Sequence, residues 1–134
     1  MQVVAAIIED NKGRILLAQR PEGKPLAGHW EFPGGKIEEG EKPDEALVRE
    51  LKEELNIEVS IQAGLGQFEY RYSWGAVFLH VFVVQAHTEP TASADVAVFK
   101  WVDVDDVTSH SLAPADLRPW FFYLDQTAHS RPTA

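Results

Sequence analysis

Glu50, Glu53 and Glu54 stand at positions i, i+3 and i+4 of a segment that reads as a helix, so three carboxylates share one face. On a helix such residues have Cβ atoms about 5–6 Å apart, and like charges that close repel unless a counter-ion joins them. A divalent cation resolves that repulsion. Oxygen ligands of this kind suit Mg²⁺, with Mn²⁺ a possible substitute, and such cations keep coordination positions for water and substrate phosphate. An acidic helix face is otherwise simply solvated, so the surroundings decide. Arg49 lies beside the acidic face and is positioned to pair with Glu41 of the preceding loop, while Gly34 and Gly35 let backbone approach a ligand closely.

These residues need a helix and a loop to hold them. Pro33-Gly34-Gly35 opens what reads as a loop lasting to Lys42. Pro43 suits the first turn of a helix running to about Leu55, with Leu47, Leu51 and Leu55 in one apolar stripe and Val48 beside it. Upstream, Val3 to Ile8 and Arg14 to Gln19 flank the turn Asp10-Asn11-Lys12-Gly13 as a hairpin, and Trp30 to Phe32 is a short extended piece. Downstream, Glu58 to Ile61, Gly66 to Tyr72, Ala76 to Gln85 and Val96 to Val102 read as strands. Asp103 to Val107 reads as one helical turn. Pro114 to Thr127 reads as a closing helix with Leu117, Phe121 and Leu124 on one face. Strands interleaved with two helices imply an α/β or α+β fold, a mixed sheet with helices on both sides.

Composition limits the alternatives. A chain of 134 residues with 45% hydrophobic content fits one globular domain over residues 1–134. With no cysteine, disulfides, thiolate metal sites and thiol nucleophiles are excluded by inventory. A net charge of −9 argues against binding a nucleic-acid polymer through bulk electrostatics, yet bound cations reverse the local field for a small anionic substrate. The first residues lack the basic flank of a signal peptide and no apolar run approaches a membrane span, so the expectation is a cytoplasmic protein without a membrane partner.

Residues 35–57 resemble the Nudix box of the MutT-like pyrophosphohydrolases, G-x5-E-x7-R-E-U-x-E-E-x-G-U. Gly35, Glu41, Arg49, Glu50, Glu53 and Glu54 occupy its fixed positions, and Leu51 and Ile57 its aliphatic ones. The final glycine is replaced by Asn56, the next-best residue for a left-handed helix end. The resemblance extends to Trp30-Glu31-Phe32-Pro33 before the box and to Leu112-Ala113-Pro114-Ala115-Asp116-Leu117 near the carboxyl end.

The resemblance implies a Nudix fold and Mg²⁺-dependent cleavage of a nucleoside triphosphate to a monophosphate and pyrophosphate. Glu50, Glu53, Glu54 and the Gly34 carbonyl then bind metal, and Gly35, Glu41 and Arg49 are structural. The general base is a box glutamate or an acidic residue of a later loop, where Asp95 stands as a further catalytic and metal-binding candidate. Substrate contacts fall to Arg20, Glu31, Phe32, His80 and Asp116. Arg20 touches phosphate or is a plain strand-end cation. Asp116 reads the base edge or is a helix N-cap. An ionised carboxylate only accepts hydrogen bonds, so Asp116 favours donors such as the cytosine 4-amino group or the N7–H of 8-oxoguanine. Substrates of the 8-oxo-dGTP and CTP type both follow, with another nucleoside diphosphate derivative, or a non-catalytic sensor with the same fold, as further alternatives. The protein is expected to be a monomer or a homodimer.

Overall fold

The computed structural model describes residues 1–91 and 98–128. Its elements run β1 (Gln2–Glu9), β2 (Ile15–Gln19), β3 (Trp30–Glu31), β4 (Gly34–Lys36), α1 (Pro43–Leu55), β5 (Val59–Tyr72), β6 (Gly75–Ala86), β7 (Val98–Val102), a 3-10 helix (Val104–Ser109) and α2 (Pro114–Thr127). Among the described residues the seven strands form one mixed sheet whose main order is β3-β2-β1-β6-β5, with β4 added on β1 and β7 on β2.

β1 explains its own sequence. It runs parallel to β6 along its whole length, from Gln2↔Phe78 to Glu9↔Gln85. Its other edge is shared between β4 at the start and the hairpin to β2 at the end. A strand flanked on both sides and covered on both faces carries a nearly continuous apolar run instead of an alternating one. Val4, Ala6 and Ile8 point to the α1 side and pack with Leu47, Leu51 and Leu55. Ala5 and Ile7 point to the other side, where Trp120 and Tyr123 of α2 complete a second core. The mixed sheet between two helices is the expected architecture.

Four expectations need correction. The segment after Pro33 is not loop throughout, because Gly34–Lys36 pairs antiparallel with Val3–Ala5. The two separate strands expected at Glu58–Ile61 and Gly66–Tyr72 are one strand, kept in register with β6 by irregularities at Ile61/Ala63 and Gly64/Gly66. On α2 the buried face is Asp116, Trp120 and Tyr123, whereas Leu117 and Phe121 face outward and Leu124 is partly buried. On α1, Val48 is likewise exposed instead of extending the Leu47–Leu51–Leu55 stripe.

Candidate active site

α1 starts where Pro43 follows Lys42. The Lys42 N–H is accepted by the Glu45 carboxylate at 3.0 Å, one arm of a capping box. The helix ends at Asn56, held at φ 49° and ψ 41°, the left-handed conformation that asparagine tolerates best after glycine. Between these stops the leucine stripe fixes the helix against the sheet and so sets where the opposite, acidic face points.

Arg49 organises that face. Its Nε and Nη2 donate to the two oxygens of Glu41 at 2.7 and 2.9 Å, a two-pronged pairing that ties the 38–42 loop to the helix. Nη2 also donates to the Lys36 carbonyl at 3.1 Å, and Nη1 donates to Glu50 at 3.0 Å and Glu53 at 3.2 Å. The Arg49 hydrogen bond, reinforced by the Glu38 backbone N–H, holds the Glu41 carboxyl down at about 2. Glu41 raises the Arg49 pKa in return, with Glu50 adding to the effect. Arg49 and Glu41 therefore brace the loop against the helix.

Backbone leaves no room for a side chain at Gly34, and at Gly35 a side chain would crowd Glu50. A Cβ on Gly34 would lie 1.9 Å from the Val4 carbonyl oxygen, inside the backbone of the neighbouring strand. A Cβ on Gly35 would lie 2.4 Å from the carboxyl carbon of Glu50. The Glu50 carboxylate thus packs directly on the bare Cα of Gly35, which is how the sheet edge and the acidic helix meet. Its side chain is 14% exposed, against 60% for Glu53.

Gly34 and Gly35 also line a cleft of about 620 Å³ on the α2 side of the sheet. Arg20, Glu31, Phe32 and Asp116, all expected to meet substrate, line the same cleft. Arg20 Nε donates to Glu31 at 2.6 Å, and Arg20 Nη1 donates to the Pro25 carbonyl at 3.2 Å. Burial pushes the Glu31 carboxyl up against the opposing pull of Arg20.

Asp116 is 5% exposed, and its Oδ2 accepts the Phe32 backbone N–H at 3.0 Å. It is not the cap of α2, since Ala113 holds the N-cap position and Asp116 lies in the first turn. Burial, helped by the neighbouring Glu31 charge, pushes its carboxyl up to about 7, against the stabilising Phe32 N–H and Arg20.

His80 stands apart from this group. Strand alternation puts Val77 and Leu79 of β6 on the cleft side, while His80 hydrogen-bonds to the Gln2 side chain at 2.7 Å and does not line the cleft. Asp95 lies outside the described residues. Sequence reasoning missed Lys24 and Lys36, which add two cations to the cleft lining, and Tyr72 and Trp74, whose rings stack at 5.3 Å. The aromatic spacing in Tyr70-Arg71-Tyr72-Ser73-Trp74 was the available signal, but only the pairing with β6 shows which rings reach the cleft.

Three carboxylates on one helix face, with bare glycine backbone beside Glu50, offer the oxygen-donor chemistry that a hard divalent cation takes. As they stand, Glu50 and Glu53 are bonded to Arg49. Among the described residues no three acidic or histidine side chains converge closely enough to hold an ion.

A carboxylate-bearing helix facing a glycine edge, on a mixed sheet between two helices, is the plan of the Nudix hydrolases, and residues 1–124 match the NUDIX domain family, to which the chain belongs. It is 39% identical over 117 residues to the CTP pyrophosphohydrolase of Escherichia coli, spanning 87% of this chain and 86% of that one. It is 35% identical over 129 residues to the 8-oxo-dGTP diphosphatase of Haemophilus influenzae, spanning 95% and 93% of the two chains. Among solved structures, the solution structure of the E. coli ORF135 protein superposes with a TM-score of 0.82 at 37% identity, over 99% of this chain and 94% of that one. The crystal structure of the MutT protein from Methanosarcina mazei gives 0.83 at 27% identity, over 96% and 94%. No helix among the described residues is long and apolar enough to cross a membrane.

Proposed function

We propose that the protein hydrolyses a nucleoside triphosphate to a nucleoside monophosphate and pyrophosphate, as a Mg²⁺-dependent pyrophosphohydrolase of nucleotide-pool sanitation. The observation that carries this reading is one cleft that holds a buried, strongly perturbed carboxyl at Asp116 and has the Glu50 carboxylate against its Gly34–Gly35 edge. Perturbed titratable groups that face a cleft without serving the fold mark functional sites.

Glu50, Glu53 and Glu54, with the Gly34 carbonyl, would hold the metal. A bound divalent cation supplies neutralisation of phosphate charge and a lowered pKa for water. Arg20, Lys24 and Lys36 bring three cations to the cleft of a chain of net charge −9, beside Glu31 and Asp116, and Lys24 and Lys36 suit the phosphates of a polyphosphate. Water adds to one phosphorus of the α–β anhydride, the bridging P–O bond breaks to release monophosphate and pyrophosphate, and the proton passes to a box glutamate or to Asp95. Asp116 receives the base edge. Ionised, it accepts from an N–H or amino group, and protonated it donates, so a titration near neutrality gives it both faculties.

Substrates of the 8-oxo-dGTP type satisfy this pocket through the added N7–H donor. A cytidine nucleotide is the second reading, favoured by an acceptor that suits the 4-amino group and by the name of the E. coli relative. A panel of 8-oxo-dGTP, dGTP, CTP, 5-methyl-dCTP and ADP-ribose with Mg²⁺, with products resolved by chromatography, separates them. Faster turnover of 8-oxo-dGTP than dGTP supports the first, preference for the cytidine nucleotides the second, and no turnover of any triphosphate sinks both.

A further inference from the structure

Trp74 is the most exposed large apolar residue among those described, at 60%. The fold does not require it there. It sits in the turn between Tyr72 and Gly75, which face each other across the β5–β6 hairpin, and turn chemistry calls for small or polar residues at such positions. It nevertheless lines the cleft, and its indole lies parallel to the Tyr72 ring, 4° between planes and 5.3 Å between centroids. Tyr72 in turn interacts with the Ala115 backbone at the start of α2 and with the charge of Asp116, so Tyr72 stands between the indole and the buried carboxyl that lines the same cleft. A carboxyl that reads a heterocycle in its plane leaves the two ring faces to be covered. An aromatic side chain covers a base face without regard to its edge pattern.

We infer that Trp74 is a specificity-determining residue that stacks on the nucleobase whose edge Asp116 reads, closing the open side of the cleft over a planar heterocycle. This rests on the nucleotide reading of the cleft. Base stacking on an aromatic is lost on truncation to alanine at a cost equivalent to between about fivefold and a hundredfold in affinity.

The test compares the unaltered protein with Trp74→Ala and Trp74→Phe in two measurements. Calorimetric titration with 8-oxo-dGMP and CMP reads binding without turnover, and steady-state kinetics with 8-oxo-dGTP and CTP separates KM from kcat. Inorganic triphosphate, as a competitive inhibitor without a base, is the control. The expected result is that Trp74→Ala weakens monophosphate binding and raises KM by between about fivefold and a hundredfold. Trp74→Phe restores most of the loss, while kcat and inhibition by triphosphate stay within about twofold. Thermal midpoints should match, because so exposed a ring contributes little to folding. Monophosphate affinity unchanged in Trp74→Ala overturns the inference, as does an equal loss for inorganic triphosphate, or no nucleotide binding by the unaltered protein. Nucleotide binding that depends on Trp74 without hydrolysis would defeat the catalytic reading alone.

Discussion

Replacing Asp116 with asparagine should stabilise the protein, and by an amount that depends on pH. Asparagine keeps an oxygen to accept the Phe32 N–H and removes the buried charge that Glu31 disfavours. The carboxyl titrates at about 7 in the fold against an ordinary 3.8, a gap of roughly three pH units. At about 1.4 kcal/mol per unit this is on the order of 4 kcal/mol. The sign follows from proton counting. Between pH 4 and 7 the folded state binds more protons at this site than the unfolded chain, so its contribution to stability falls as pH rises through that window. The cost is fully present above about 7 and absent below about 4. Relaxation around the charge reduces it, and the expected gain for Asp116→Asn is about 2–4 kcal/mol at pH 9, shrinking towards a constant offset at pH 4. Urea unfolding at pH 4, 5.5, 7 and 9 measures this directly. A difference between the two proteins that is flat across the series, whatever its offset, would refute the assignment of a buried, charge-penalised carboxyl. The same variant should change base preference, because the substituted side chain presents a fixed donor to the ligand. A group that costs stability while it lines a cleft is what a binding function predicts.

Other consequences follow from the glycine edge and the arginine hub. Gly34→Ala places a methyl group inside the β1 backbone and should cost about 3 kcal/mol or more, visible as a drop in the denaturation midpoint. Gly35→Ala meets only the movable Glu50 carboxyl, so it should fold with a loss of about 1 kcal/mol or less while kcat falls at least about tenfold. Arg49→Lys keeps the charge but loses the paired contact with Glu41 and the bridge to Glu50 and Glu53, and kcat/KM should fall by about 10- to 100-fold. Asn56→Ala should destabilise by about 1 kcal/mol through its left-handed backbone, whereas Asn56→Gly should stay within about 0.5 kcal/mol, both read by chemical unfolding.

The α1 segment was legible because every local signal agrees: Pro43 at the start, leucines at four-residue spacing, and a left-handed-tolerant Asn56 at the end. β4 was not, since Gly34 and Gly35 carry no side chains whose alternation could announce a strand. Its pairing with β1 exists only in space. α2 misled for the opposite reason. Trp120 to Leu124 is apolar all round, so periodicity offers several faces, and the one that is buried includes a carboxylate that composition would place outside. His80 illustrates the period of two: one residue along β6 separates the cleft side, with Leu79, from the other face. Arg20, Glu31, Phe32 and Asp116 were nameable from the resemblance, but their convergence on one cleft with Gly34 and Gly35 required the fold.

The central claim is tested most directly by following nucleoside monophosphate and pyrophosphate release from a triphosphate while Mg²⁺ is titrated, for the unaltered protein and for Glu53→Gln. Turnover that rises from near zero with Mg²⁺, yields those two products in equal amounts and falls at least about a hundredfold in the variant is the predicted result. Turnover independent of Mg²⁺, release of orthophosphate instead of pyrophosphate, or equal rates for the two proteins would contradict it.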